Sequence, residues 1–334
     1  MVALATRTVF GLKQHAPSRA SPHNDADKVA SLVKSLAVRE GTHEATVPGV
    51  WVSRRTNSEP RHPAIYQALL IFLAQGAKRV YLDDEVLGYD VDHYLALALP
   101  VPVECEILHA TPEEPLLAVS VVVDPAMLAE ILISLDEPTA IEGPLPRGIY
   151  ASKTSPELRG AVVRLLECLH SQVDSRILGK QIVREIVYRV LRDEPGGALR
   201  ALATRNDQFM RITRVVQQIQ AEYGTSLSVE NMAKRVNMSV STFHHNFKAV
   251  TGKSPLQYLK SIRLHRARLM MVHAGHNAST AATAVGYESA SQFGREFKRM
   301  FGASPIEETA AIRARLAAGV VEARDRWVPD AVSG

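Results

Sequence analysis

One stretch of sequence near the C-terminus is written twice, about fifty residues apart, and it constrains this chain more than any other feature. The first copy runs Val229-x-x-Met232-Ala233-x-x-Val236-Asn237-Met238, then Ser241-x-Phe243-x-x-x-Phe247-Lys248, then Gly252-x-Ser254-Pro255. The second runs Ala278-x-x-Ala281-Ala282-x-x-Val285-Gly286-Tyr287, then Ser291-x-Phe293-x-x-x-Phe297-Lys298, then Gly302-x-Ser304-Pro305. Each copy holds two short helical patterns with a tight joint. Asn237 and Gly286 occupy the joint, and these residue types best tolerate the positive φ of a sharp helix-to-helix turn. Ser228, Ser239 and Ser289 are expected N-caps, and Ser289-x-x-Gln292 fits a capping box. Phe243, Phe247 and Val250 recur at i, i+4 and i+7, as do Phe293, Phe297 and Met300, so each set forms one buried stripe. The spacing predicts two helix-turn-helix units.

A helix over Phe209–Tyr223, closed by Gly224, leads into the module. Ser254-Pro255 starts a spacer helix to about Val272 by the Ser N-cap and Pro N1 device. Such a spacer is roughly 25 Å long, enough to hold two recognition helices near the ~34 Å repeat of successive major grooves. Its Lys260, Arg263, Arg266 and Arg268 are expected either near phosphates or bonded to the flanking bundles.

Opposite the aromatic stripe, the second helix of the first copy carries Ser241, His244, His245 and Lys248. Its counterpart carries Ser291, Gln292, Arg295 and Arg299. Such polar side chains suit a helix that enters the major groove, where Arg295 can bond guanine bidentately and Gln292 adenine. The expected base readers are therefore Ser241, His244, His245, Ser291, Gln292 and Arg295. Ser239, Thr242, Lys248, Ser289, Lys298 and Arg299 are the expected backbone contacts, since such groups more often set register on phosphates. Phe243 and Phe293 are core residues with no contact to DNA. The two histidines have a surface alternative, and as neighbours they point apart, which argues against a shared metal.

Charge supports this division. Arg211 to Ile306 holds thirteen Lys and Arg against four Glu, whereas residues 1–210 hold twenty-two basic and twenty-six acidic groups. Only the first of these regions suits a polyanion. At 334 residues, two domains are expected. With 46% hydrophobic and 22% charged residues the composition is that of a soluble globular protein, and no apolar run reaches bilayer length. Residues 1–27 lack an apolar signal-peptide core and read as a mobile extension. A cytoplasmic location follows. Cys105 and Cys168 have no metal-ligand spacing and read as packing residues, with a redox pair as the alternative.

From Val50 to Val123 short apolar stretches alternate with turn signals. The stretches are Val50–Arg54, Ile65–Ala74, Lys78–Leu82, Val86–Tyr89, Tyr94–Leu99, Cys105–Leu108 and Leu116–Val123. Glu59-Pro60, Gln75-Gly76, Asp83-Asp84, Pro100-Val101-Pro102 and Thr111-Pro112 separate them. Many short strands at regular spacing predict an all-β barrel or sandwich. A helix pattern around Asp27–Arg39 precedes them, and Asp124-Pro125 caps a helix through Leu135. Pro138–Ile149 reads as an irregular connection. Beyond it, Leu158, Val162, Leu165, Leu166 and Leu169 line one helix face and Ile182, Ile186, Val190 and Leu191 another. This pair is either a packing element or a dimer interface.

The run M-S-V-S-T-F-H-H-N-F-K-A-V-T-G-K-S-P-L-Q-Y-L-K, with the later A-V-G-Y-E-S-A-S-Q-F-G-R-E-F-K-R-M-F-G-A-S-P, closely resembles the DNA-binding domain of AraC/XylS-type transcription regulators. The resemblance covers about Asp207–Ile306. It implies seven helices, bent double-stranded DNA and base reading at the six positions given above. Ala278, Ala281 and Ala282 depart from the bulky aliphatics usual there, so less apolar area holds the second unit. I-Y-Q-A-L-L-I-F-L-A-Q-G-A-K-R-V-Y-L, with the later T-P-E-E-P-L-L-A-V-S-V-V-V-D-P-A-M-L-A-E-I-L, resembles a cupin-like N-terminal domain of one AraC-type subgroup. It implies a β-barrel that senses a small molecule and assists dimerisation.

The expected fold is an α+β multidomain chain: a cupin-like β-barrel with flanking helices, then an all-α tandem helix-turn-helix domain. The boundaries are a 1–27 extension, a 28–150 effector or dimerisation domain, a 151–206 helical linker, a 207–318 DNA-binding domain and a 319–334 tail. Trp51, Tyr66 and His93 are the candidate effector-pocket residues. The expected partners are double-stranded DNA, RNA polymerase, an unknown small-molecule effector and a second copy of the chain. No cofactor and no metal are expected, because the His-x-His and Glu pattern of catalytic cupins is missing and position 95 is Leu95. The rivals are a metal-dependent cupin enzyme using His62, His93, His109 and Glu104, and a ligand-independent DNA-binding accessory protein.

Overall fold

The computed structural model describes residues 24–83, 85–135, 144–193, 197–203 and 207–317. The tail read at 319–334 and most of the extension read at 1–27 lie outside these residues. Helix α1 (Asn24–Leu36) begins within the latter.

Two antiparallel sheets form the N-terminal domain. The larger has the order β1 (Gly41–Glu44), β2 (Val50–Arg55), β9 (Leu116–Val122), β4 (Leu69–Gln75), β7 (His93–Leu97) and β10 (Ile149–Lys153). The smaller has the order β3 (Glu59–Tyr66), β8 (Val101–Ile107), β5 (Lys78–Leu82) and β6 (Glu85–Tyr89). Side-chain alternation gives the larger sheet two apolar faces. On β9, Leu116, Ala118, Ser120 and Val122 line an internal cavity, and Leu117, Val119 and Val121 are buried on the opposite face. That outer face lies under α1, which packs on β2, β4 and β9.

The strands differ from expectation where proline and topology intervene. The apolar stretch Ile65–Ala74 divides between β3 and β4, which belong to different sheets. Pro60 lies inside β3 with Pro63, although Glu59-Pro60 reads as a turn. β3 is an edge strand with a register irregularity between Glu59 and His62, and an edge position does not need the missing N–H. Pro102 likewise lies in β8. It pairs with Ile65 on one side, while the pairing of β8 with β5 starts only at Glu104. Strands β1 and β10 have weak sequence signals. β10 pairs with β7 and carries the sheet past residue 150. At the β5–β6 hairpin, Asp83 takes a positive φ of 56°, as the tight turn there requires.

Helices α2 (Pro125–Leu135), α3 (Pro156–Cys168), α4 (Gln172–Asp193) and α5 (Ala198–Ala203) follow the strands. Asp124 caps α2 by accepting from the Ala126 N–H at 2.9 Å. α3 packs on α1 and α4, and α4 also packs on α2. The inner face of the α3–α4 pair is thus buried against its own domain. The outer face of α4 leaves Val173, Ile177 and Leu178 exposed.

The C-terminal domain has seven helices, the number the resemblance implies: α6 (Asp207–Glu222), α7 (Val229–Arg235), α8 (Val240–Thr251), α9 (Pro255–His273), α10 (Ala278–Ala284), α11 (Ala290–Phe301) and α12 (Pro305–Ala317). Ser228, Ser239 and Ser289 cap α7, α8 and α11 as expected. Asn237 and Gly286 have φ of 51° and 84°. Ser254 and Gln257 form a full capping box at the start of α9. The box expected at Ser289 is only half made, because the Gln292 amide turns to Glu296.

The two units attach differently. Phe243, Phe247, Val250, Tyr258, Leu259 and Ile262 belong to one apolar core continuous with the barrel. Phe293, Phe297, Ala281, Ala282 and Val285 form a separate small core against Leu264, Ala267 and Met271 of α9. The seam between barrel and first unit is close. The Tyr258 hydroxyl donates to the Pro100 carbonyl at 2.8 Å, and the Gly148 N–H donates to the Val250 carbonyl at 2.8 Å. Gly252 ends α8 at φ 76°, and a Cβ there would sit 2.5 Å from Leu82. Gly252→Ala therefore combines a left-handed alanine with overpacking of the seam. It is expected to cost about 1–3 kcal/mol in denaturant unfolding; a stability equal to wild type would contradict this account of the seam.

Candidate nucleic-acid interface and effector cavity

Helices α8 and α11 present the expected polar faces. Ser241, Thr242, His245 and Lys248 are exposed on α8, and Ser291, Gln292, Arg295, Lys298 and Arg299 on α11. Their capping serines hold both helices to the joint before them. His244 is only partly exposed. Four of the expected contact residues are already engaged. Gln292 bonds Glu296 at 3.3 Å, the hydroxyls of Thr242 and Ser239 bond each other at 2.8 Å, and Lys248 pairs with Asp83 of the barrel at 3.3 Å. Arg147 reinforces the last contact by donating to the Lys248 carbonyl at 3.1 Å.

The cations of α9 bond to the flanking bundles. Arg263 donates to the carbonyls of Tyr223, Thr225 and Gly286 at 2.8–3.1 Å. Lys260 pairs with Glu296 at 2.7 Å and the buried Arg268 with Glu308 at 3.2 Å. Arg266 bonds Gln220 and lies over Tyr223. The alanines of α10 pack directly on α9. Gly286 is so close to the loop after α6 that a Cβ would lie 2.8 Å from the Gly224 carbonyl.

Between the sheets lies a cavity of about 190 Å³, below the ~300–1,000 Å³ of drug-sized ligand sites. Trp51, Tyr66, Ala118 and Ser120 line its barrel side, and Gln220, His265, Arg266 and Leu269 reach it from α6 and α9. The DNA-binding domain thus supplies part of the cavity wall. Trp51 and Tyr66 both line this cavity. His93 does not. Its Nδ1 bonds Asp90 at 2.8 Å, which holds the ring at the start of β7 beside Phe72, Arg159 and Val162, outside the cavity.

The four side chains of the metal-enzyme rival are dispersed. His62 lines the cavity, His93 lies outside it, His109 pairs with Glu114 and Glu104 with Arg61. Among the described residues no group of three or more His, Cys, Asp or Glu is placed to hold a metal ion. None of their helices is long and apolar enough to cross a membrane.

Sequence reading missed most of the polar lining: Arg55, Glu59, Lys78 and His265. Strand alternation was a usable signal for Arg55, two residues after Ser53 and four after Trp51 on β2. Nothing local places His265 there. Burial lowers the Lys78 ammonium pKa, opposed by the nearby Cys105 and Glu59. Burial raises the Tyr66 hydroxyl well above its ordinary value, with Cys105 adding to the effect.

Two facing antiparallel sheets joined to a tandem helix-turn-helix domain define the class of this chain, and comparison places it further. Residues 46–198 match the model of the AraC-type transcriptional regulator N-terminus, and residues 232–310 match a helix-turn-helix domain. Both halves of the chain thus resemble AraC-type regulators. The chain is 27% identical over 158 residues to the HTH-type transcriptional activator RhaS of Escherichia fergusonii, covering 41% of this chain and 56% of that protein. It is 28% identical over 142 residues to the raffinose operon transcriptional regulatory protein RafR of Pediococcus pentosaceus, covering 42% and 50%. The matches thus span little more than half the length of these relatives. In fold it is similar to an apo variant of ToxT from Vibrio cholerae, with a TM-score of 0.51 and 11% identity over 81% of this chain and 99% of that one. Wild-type ToxT with a bound unsaturated fatty acid gives a TM-score of 0.51 at 10% identity, over 78% and 93%.

His265 makes stability pH-dependent. It is 4% exposed. Burial, then Arg268, Lys253 and His62, hold its pKa well below the ordinary 6.5. As pH falls through that value the unfolded chain takes up a proton that the folded chain refuses. Stability should drop by up to about 1.4 kcal/mol per pH unit from this group. His265→Gln should therefore show a shallower fall in Tm than wild type between about pH 7 and 5; parallel curves would count against it.

Proposed function

We propose that this protein is a sequence-specific DNA-binding transcription regulator controlled by a small molecule bound in its barrel cavity. The observation that carries this reading is the double role of α9. One helix mounts both recognition helices and also closes the cavity, so an occupant of the cavity touches the element that spaces the readers. The kinship with RhaS and RafR supports a transcriptional role, and the fatty acid carried by ToxT supports a ligand-bearing N-terminal domain. Double-stranded DNA is the partner of α8 and α11. Ser241, His244, His245, Ser291, Gln292 and Arg295 read bases, and Ser239, Thr242, Lys248, Ser289, Lys298 and Arg299 meet the backbone.

The segment 28–153 forms the effector domain, 154–206 a helical connector and 207–318 the DNA-binding domain. A second copy of the chain docks on the exposed apolar face of α4, and RNA polymerase is the partner through which bound protein acts, in the cytoplasm. On this reading the chain acts as a regulator and not as an enzyme, in keeping with the transcription regulators it resembles.

Arg295→Ala should relax selection at one base pair and cost about 1–3 kcal/mol in binding; an unchanged motif selected from a random-sequence pool would refute base reading. Lys248→Ala should weaken all sites alike and reduce the salt slope of binding by about one, which titrations at several salt concentrations will show or deny. Ala118→Leu fills cavity space on β9. It should change the affinity for the selected DNA at least threefold with the fold intact, and an unaltered affinity would dissociate the cavity from DNA binding.

A further inference from the structure

The cavity contains a set of reactive groups that effector binding by shape alone does not require. Cys105, on β8, is 3% exposed and lines the cavity. Its Sγ lies 3.1 Å from Nε2 of His62 on β3. The other imidazole nitrogen, Nδ1, lies 2.8 Å from the Pro60 carbonyl. A carbonyl only accepts, so Nδ1 carries the hydrogen and neutral His62 presents a bare Nε2 to the thiol. Glu59 lies 3.4 Å from the same Nε2 and stabilises the imidazolium that a proton transfer would create. Arg55 in turn pairs with Glu59 at 3.6 Å. Nucleophile, base and orienting group are thus in the arrangement that activates a cysteine.

Donors for an oxyanion stand beside them. Lys78 donates to the Tyr66 hydroxyl at 3.0 Å, and both side chains line the cavity together with Cys105. Across the cavity, His265 of α9 is buried with its Nε2 unpartnered. An unpartnered buried nitrogen in a cavity wall is a position for a ligand's polar atom.

We propose that Cys105 is a covalent sensor, adding to small α,β-unsaturated carbonyl compounds that enter the cavity. His62 removes the thiol proton and Sγ attacks the β-carbon. The Sγ–Cβ bond forms, the C=C π bond breaks, and its electron pair moves to the carbonyl oxygen as an enolate. Tyr66 and Lys78 donate to that oxygen, and the proton on His62 returns to the α-carbon. No oxidant or reductant is needed.

Disulfide chemistry fits less well. Cys168 is the only other cysteine. It lies on α3, which packs on α1, and α1 covers the outer face of the larger sheet. That sheet separates the two thiols.

This proposal rests on the reading of the cavity as the effector site, and its test separates the two. The full-length protein is treated with but-2-enal, the adducts are fixed by borohydride, and rates at Cys105 and Cys168 are followed by peptide mass spectrometry with DNA affinity in parallel. Cys105 should react at least ~10-fold faster than Cys168, since the thiolate is the nucleophile and its formation is assisted only at Cys105. His62→Gln should slow Cys105 by at least ~10-fold and move its pH profile toward the ordinary thiol value of about 8.5, with the Cys168 rate unchanged. Butanal, which has no C=C bond, should leave no adduct on Cys105. Equal rates at the two cysteines, or a Cys105 rate indifferent to His62→Gln, would overturn the proposal. A silent Cys105 in a protein whose DNA affinity responds to Ala118→Leu defeats the sensor alone. A labelled Cys105 with unchanged DNA affinity upholds the nucleophile and defeats the cavity's effector role.

Discussion

The apolar seam between the barrel and the first helix-turn-helix unit governs the rest of the structure. Tyr258, Leu259 and Ile262 of α9 belong to the core that runs through both sheets. Each such side chain contributes about 1.5–3 kcal/mol when fully buried. The contact at Gly252 leaves no room for a side chain. Domains of one chain usually meet through smaller, more polar surfaces and move freely. Here the barrel and α8 are packed as one body, and the second unit is attached to that body by α9 and its own small core.

A 19-residue helix that serves three neighbours cannot have a single buried face. α9 turns Tyr258 and Ile262 toward the barrel, Leu264, Ala267 and Met271 toward the second unit, and His265, Arg266 and Leu269 toward the cavity. Its polar residues are held accordingly, with Arg268 and His265 buried. A cavity occupant can shift the recognition helices only by its differential affinity for two settings of this helix. The buried His265 is a site where such a difference can arise, because a ligand group can bond the Nε2 that makes no hydrogen bond within the protein.

The parts of this fold legible in the sequence are those determined within one or two turns. The serine caps, the Asn237 and Gly286 joints and the phenylalanine stripes depend on neighbours three to seven residues away, and each is found where its spacing puts it. The proline positions in β3 and β8 were misleading, because tolerance of a missing N–H depends on whether a partner strand lies alongside. The roles of the α9 cations were open for the same reason. Arg263 meets carbonyls 23 to 40 residues away in sequence. His93 and His265 show the limit most clearly. Both are single histidines with no periodic signature, and only the tertiary fold leaves one outside the cavity and the other inside.

These engagements also change the charge argument for DNA binding. The basic excess of the module suggests a uniform attraction to phosphate, but Lys260, Arg263, Arg266 and Arg268 are bonded within the protein. Lys248 of the first unit is paired with Asp83 of the barrel. Arg295, Lys298 and Arg299 are exposed on the second unit, whose support helix is the alanine-rich one, and Arg214, Lys234 and Lys248 are exposed on the first. The Lys248–Asp83 pair is exposed and worth only about 0–1 kcal/mol. A phosphate can displace Asp83 at little cost, yet the packed seam beneath it keeps α8 on the barrel. On the reading proposed above, both units keep exposed cations for the long-range attraction to DNA. Engagement of the first then depends on where the barrel holds it, which is the position that α9 and the cavity set.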